Sequence, residues 1–210
     1  MVPFTALMLW TIPLSSMASG IYSPFDALEM NLSEYQNPWP VINNTHHVYL
    51  SRVSEENSTL HCVKSRYWGY QEYNSTVDRS LNSSTPDQWF LNITLNVRYE
   101  TSQNGSNITM LQVTSMQELE LLAPRTILPE PYSTENHTFH VLYSDPKCLI
   151  LGDVLNATRF TNCSLWFPHK SNALYPPLCC EFVFTVLCGQ GTKFDWINKC
   201  ELYGWTDESY

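Results

Sequence analysis

The chain has 210 residues and a mass of 24.3 kDa, the size of one ordinary domain. Hydrophobic residues make up 43%, which excludes global disorder, yet charged residues reach only 15%, well below the usual quarter. The balance of 11 basic and 20 acidic residues gives a net charge of −9 with no Lys/Arg cluster, so nucleic acid is not an expected partner.

The chain opens on an apolar run, Phe4 to Leu14, too short to cross a bilayer. Small residues follow, and Ser16-Met17-Ala18 suits signal-peptide cleavage, although the run lacks the usual Lys or Arg before it. Residues 1–18 are therefore expected to be a signal peptide and residues 19–210 one secreted, extracellular domain. No later segment approaches 18 apolar residues, so no membrane anchor is expected.

Past the leader, Phe25, Leu28, Met30 and Leu32 with acids between them predict a short helix over 23–35, broken by Asn37-Pro38-Trp39-Pro40. Strands are expected over 46–53 and 59–67. The clearest pattern is Leu91, Ile93, Leu95, Val97 and Tyr99 alternating with Asn92, Thr94, Asn96, Arg98 and Glu100. Strict period two means one apolar and one wet face. Asn104-Gly105 is a preferred hairpin turn, with a return strand over 108–115. Another strand is expected over 118–122, then a proline-rich loop from Pro124 to Tyr132. Phe139, Val141 and Tyr143 share one parity of a further strand, and 148–154 and 163–167 give two more. Pro176-Pro177 and Gly189 bracket a helix whose Cys180, Val183, Phe184, Leu187 and Cys188 fall on one face. A last turn is expected over 196–200.

This order, a short helix, seven or eight strands at hairpin spacing and a C-terminal helix, predicts an all-β fold. Eight antiparallel strands close into a barrel just wide enough for a small ligand; a two-sheet sandwich is the alternative. The apolar strand faces either pack as a core or line a cavity, and the residues alone leave both open.

Eleven sequons, at Asn31, Asn43, Asn57, Asn74, Asn82, Asn92, Asn104, Asn107, Asn136, Asn156 and Asn162, exceed the roughly three that chance placement would give. A glycan coat would replace the missing charged surface. Asn162 is the weakest acceptor because it precedes Cys163. Seven cysteines, six of them from Cys148 onward, predict three disulfides and one leftover thiol. Cys62, isolated near the start, must close a long loop to the C-terminal third. Adjacent Cys179 and Cys180 should face different partners, and six cysteines allow fifteen pairings.

Nucleophile-elbow, zincin, phosphate-loop and dinucleotide motifs are missing, so neither an enzyme nor a cofactor is expected. The six histidines show no metal-ligand spacing, and His137 and His140 should point to opposite faces of one strand.

Tyr143-Ser144-Asp145-x-x-Cys148, Ser164-Leu165-Trp166, Cys180-x-x-x-Phe184-x-x-x-Cys188-Gly189 and a closing Cys200 together resemble the secreted salivary lipocalins of ticks, the histamine-binding protein family. The resemblance implies an eight-stranded lipocalin barrel with an interior cavity, used to sequester host mediators during blood feeding. It also implies the pairings Cys62–Cys200, Cys148–Cys180 and Cys163–Cys188, with Cys148–Cys179 as an open alternative. Cys179 is left over, as a capped thiol or the bridge of a dimer. Amine-binding members carry an acidic residue after the strand cysteine and a Glu before Leu-Trp. Here those positions hold Leu149 and Ser164. A buried ammonium without its carboxylate typically costs about 3–5 kcal/mol.

The expected ligand is therefore an apolar or amphipathic mediator of the host, such as an eicosanoid, fatty acid or sterol. The expected lining is Ile93, Leu95, Phe139, Val141, Tyr143, Leu149, Ser164 and Trp166, with ring contacts from Trp166 and Tyr143. Two competing readings remain. One is amine binding through relocated acids, Glu118, Glu120 or Asp153. The other is a module that binds a host immune protein.

Overall fold

A computed structural model describes residues 32–56, 62–83, 89–101, 107–115, 137–156, 159–168, 175–194 and 200. Its strands are β1 (Val48–Val53), β2 (Val63–Gln71), β3 (Thr76–Ser83), β4 (Trp89–Thr101), β5 (Asn107–Ser115), β6 (His137–Asp145), β7 (Cys148–Asn156), β8 (Arg159–Pro168) and the short β9 (Thr192–Lys193). The order is β2-β3-β4-β5-β6-β7-β8-β1-β9, and β1 pairs back onto β2. All the pairings are antiparallel. The eight long strands thus close into a barrel, which removes both sheet edges, and β9 adds to β1. The sandwich alternative is excluded.

The barrel needs β3, which the sequence reading passed over. Val77, Arg79 and Leu81 share its inward parity, and a charged residue on that face breaks the apolar alternation that marks a strand. The strand expected over 118–122 and the Asn104-Gly105 turn lie outside the described residues, as do most of the 23–35 and 196–200 segments. What is described of the first is a 3₁₀ turn, Leu32–Tyr35. The expected break at Pro38–Pro40 is instead the start of a one-turn helix, α1 (Trp39–Ile42). Prolines fit there because the first backbone N–H groups of a helix have no intrahelical acceptor. Pro38 instead contributes its carbonyl, which accepts from Val41 and Ile42 at 3.0 Å.

Period-two alternation divides the apolar side chains into two sets. The inner set joins Val41 and Ile42 of α1 to Val48, Val77, Ile93, Leu95, Leu111, Val141, Leu149 and Leu151. An outer set lies between the barrel wall and α2 (Leu178–Cys188), where Ile150, Leu165 and Phe167 meet Phe184 and Leu187. Cys180, Phe184 and Leu187 are buried and Val183 and Cys188 half-buried, the face expected from sequence. Gly189 ends the helix with φ +83, in the left-handed region that glycine takes without strain.

Three disulfides hold the outer side: Cys62–Cys200, Cys148–Cys180 and Cys163–Cys188. Two of them bolt α2 to β7 and β8. Arg52 on β1 adds a hydrogen bond from Nη1 to Thr185 Oγ1 at 3.1 Å and lies 5.8 Å from the Phe184 ring centroid. Cys179 is a free, exposed thiol.

Candidate ligand-binding cavity

The inner set does not fill the barrel. It surrounds a cavity with about 840 Å³ of empty space, counting the part open to solvent. Side chains from α1 and every barrel strand line it. At the end near the start of β1, where Val41, Ile42 and Val48 share one cluster, α1 contributes Val41 and Ile42 to the lining. Strand directions alternate round the barrel, so His137, at the start of β6, stands at the opposite end.

Six of the eight expected lining residues are in the wall: Ile93, Leu95, Phe139, Leu149, Ser164 and Trp166. Val141 is 1% exposed and packs within the inner set without reaching the cavity. Tyr143 does not belong there, which corrects the parity argument. Register shifts between Val141 and Tyr143, because Val141 pairs with Leu151 but Tyr143 with Ile150. The extra residue, Leu142, is a bulge that moves the following side chain to the other face. Tyr143 consequently packs with the outer set, stacks on Tyr35 at 5.5 Å and donates from its hydroxyl to Asp145 Oδ2 at 3.3 Å. Burial, with help from the Asp145 charge and that hydrogen bond, pushes its phenol up to about 12.

The lining residues missed from sequence include Ser65 on β2 and Arg79 on β3. Arg79 is 2% exposed, and all five of its N–H groups are used. Nε donates to Ser65 Oγ at 2.8 Å, and Nη1 to the carbonyls of Ile42 and Asn44 at 2.9 and 2.8 Å. Nη2 donates to the carbonyls of His46 and Ser65 at 3.2 and 3.0 Å. These bonds tie the loop after α1 to β2 and β3, and every acceptor is neutral. Burial lowers the guanidinium to about 10, against a small opposing effect of Tyr67, so Arg79 is a cation at neutral pH. A signal for it did exist in the sequence: Val77-x-Arg79-x-Leu81 puts one charge between two apolar residues of the same parity.

The rest of the polar lining is sparse. Ser164 Oγ accepts from Trp166 Nε1 at 2.9 Å. His137 stands 4.3 Å from the Phe139 ring and has Nε2 3.5 Å from Asp153 Oδ2. His140, of opposite parity, is absent from the lining, as expected; desolvation lowers its pKa although Glu100 and Asp153 pull it up. No carboxylate belongs to the described lining. Asp153, one of the relocated acids considered, is not part of it, and Glu118 and Glu120 lie outside the described residues. The one described grouping of potential metal ligands is Asp145, Cys179 and Cys180. It is committed elsewhere: Cys180 is in a disulfide, and Asp145 Oδ1 accepts from the backbone N–H groups of Lys147 and Cys148.

Among solved structures, Japanin from Rhipicephalus appendiculatus bound to cholesterol is 23% identical. It covers 74% of this chain and 96% of its own, with a TM-score of 0.46. A structure described as an LTBP1–LTC4 complex is 13% identical over 68% of this chain and 76% of its own, with a TM-score of 0.36. No curated protein matches. The sequence profile of the family described as tick histamine binding protein matches residues 26–201. With most of its length inside that match, and with a closed eight-stranded barrel around a cavity, the chain belongs to the tick histamine binding protein family of ligand-sequestering lipocalins.

Proposed function

We propose that this protein is secreted in tick saliva and sequesters an apolar or amphipathic host mediator in the barrel cavity, without catalysis. The observation that carries the reading is the charge of the lining. The two positions at which amine-binding members carry acids hold Leu149 and Ser164, and the buried charge that faces the cavity is the cation Arg79. Among the described residues, an ammonium ligand would meet a like charge and no counter-ion at low dielectric, where both effects are strong. An apolar body instead gains about 25 cal/mol for each Å² that it buries against Ile93, Leu95, Phe139, Leu149 and Trp166.

Two measurements test this together. Mass spectrometry of the denatured native protein is expected to release a lipid-like ligand. Calorimetric titration of histamine into the folded, delipidated protein is expected to show no saturable heat. Histamine binding below about a micromolar Kd, roughly −8 kcal/mol, would overturn the reading.

A further inference from the structure

We infer that the α1 end of the cavity is an acceptor site, in which the Ser65 hydroxyl donates to a carboxylate oxygen at the head of a long-chain ligand. This rests on the reading of the cavity as an apolar-ligand pocket and names the polar group that such a ligand carries.

The inference follows from donors and acceptors. Ser65 is 5% exposed, lines the cavity, and its Oγ is occupied as an acceptor by Arg79 Nε at 2.8 Å. A hydroxyl in that position has its own proton left to give, and among the described residues none takes it. A hydroxyl that accepts from a cation is polarised and becomes a better donor. Arg79 itself has no N–H to spare, since its five donors serve four carbonyls and this one hydroxyl. Its charge therefore reaches the cavity as a field and through Ser65, rather than as a direct ion pair.

Ser164 repeats the pattern on β8. Its Oγ accepts from Trp166 Nε1, which leaves a second hydroxyl proton to give. Arg79 and these two hydroxyls, on the side of the cavity away from His137, thus offer donors and positive potential. A carboxylate matches both, an alcohol matches the first, and an ammonium matches neither. Hydrogen bonds to an ionised acceptor are about twice as strong as neutral ones, so the head group sets a ranking among ligands with identical chains.

The test is a displacement titration of the delipidated protein with three probes sharing one alkyl chain: palmitate, hexadecanol and hexadecylamine. Palmitate is expected to bind about tenfold or more tighter than hexadecanol, with hexadecylamine weakest. Ser65→Ala is expected to reduce the palmitate preference about tenfold, while Ser65→Thr, which keeps a hydroxyl, preserves it. Thermal melts establish that both variants are folded. Equal affinities for the three probes, or a palmitate preference that Ser65→Ala leaves intact, would overturn the acceptor site and leave the apolar pocket standing. Failure of all three probes to bind the folded protein would overturn the apolar-pocket reading, and the acceptor site with it.

Discussion

The two sides of the barrel wall are made from the same strands and serve opposite ends. On β7, Ile150 faces outward into a packed layer beneath α2, while Leu149 and Leu151 face a space that none of the described side chains fills. The outer layer holds all six bonded cysteines. The inner layer holds none, and its one ionised anchor among the described residues, Arg79, is held by neutral oxygens. The bonded and close-packed contacts are concentrated on the outer side, and a hollow is left on the inner one. A barrel can keep unfilled space only if its cohesion comes from somewhere else, because packing density is otherwise the main enthalpic gain of a core.

The largest way to break this contrast is through the disulfides. Replacing Cys62 and Cys200 with Ala removes a bridge across 138 residues and is expected to cost about 5 kcal/mol in the chain-entropy model. The Cys148–Cys180 bridge, across 32 residues, should cost about 3–4 kcal/mol; denaturant melts measure both. Next come paired truncations on the two faces. Phe184→Ala, in the outer layer at 0% exposure, is expected to lose about 3–5 kcal/mol. Leu95→Ala, on the cavity wall, is expected to lose about 2 kcal/mol, since its side chain already lacks neighbours on one side. Equal losses would mean that the interior is packed core and not a hollow.

Charge sharpens the comparison from the ligand's side. Leu149→Asp combined with Ser164→Glu places acids where amine-binding members carry them and is expected to strengthen histamine binding by about 3 kcal/mol or more. Calorimetry reads it directly. Chemical accessibility separates the faces too. Cys179 should be the one thiol per native chain that reacts with an aromatic disulfide reagent, and a non-reducing gel shows whether it bridges two chains.

The smallest effect is one of pH. His140 has its folded pKa lowered by burial, with Glu100 and Asp153 opposing. The unfolded chain therefore binds the proton more readily. Its stabilising share is complete above about 6.5, the unfolded value, and falls away as pH drops below that toward the lowered folded value. His140→Gln should flatten that decline in a series of melts between about pH 5 and pH 7.

Much of this was legible in the residues. The β4 alternation announces its two faces, and Leu91, Ile93 and Leu95 are indeed lining or inner residues. The cysteine pairings came with the family resemblance and not from spacing, which left fifteen choices. What stayed hidden has local causes. β3 carries a buried cation on its inner face, so its pattern does not read as apolar alternation. The Leu142 bulge adds one residue whose presence only the pairing register reveals, and it moves Tyr143 from the expected lining to the outer surface. Pro38 and Pro40 signal a break, but a proline at the first turn of a helix obeys the same stereochemistry. The α1 plug was missed for that reason, and with it the carbonyls that explain why Arg79 can be buried at all.

The closure of the barrel has a kinetic consequence. β1 and β2 meet through only two residue pairs, Val48↔Ser65 and Tyr49↔Lys64, whereas β3 and β4 share eight. This short joint is clasped twice: Arg79 links the approach to β1 with Ser65 of β2, and Cys62, just before β2, is chained to Cys200. With so few ladder pairs of its own, this joint is where breathing of the barrel should begin despite the clasps, its amides exchanging against deuterium sooner than those of β3 and β4. A ligand whose head group engages Ser65 would sit against the joint from inside, so loading the cavity should slow that exchange first.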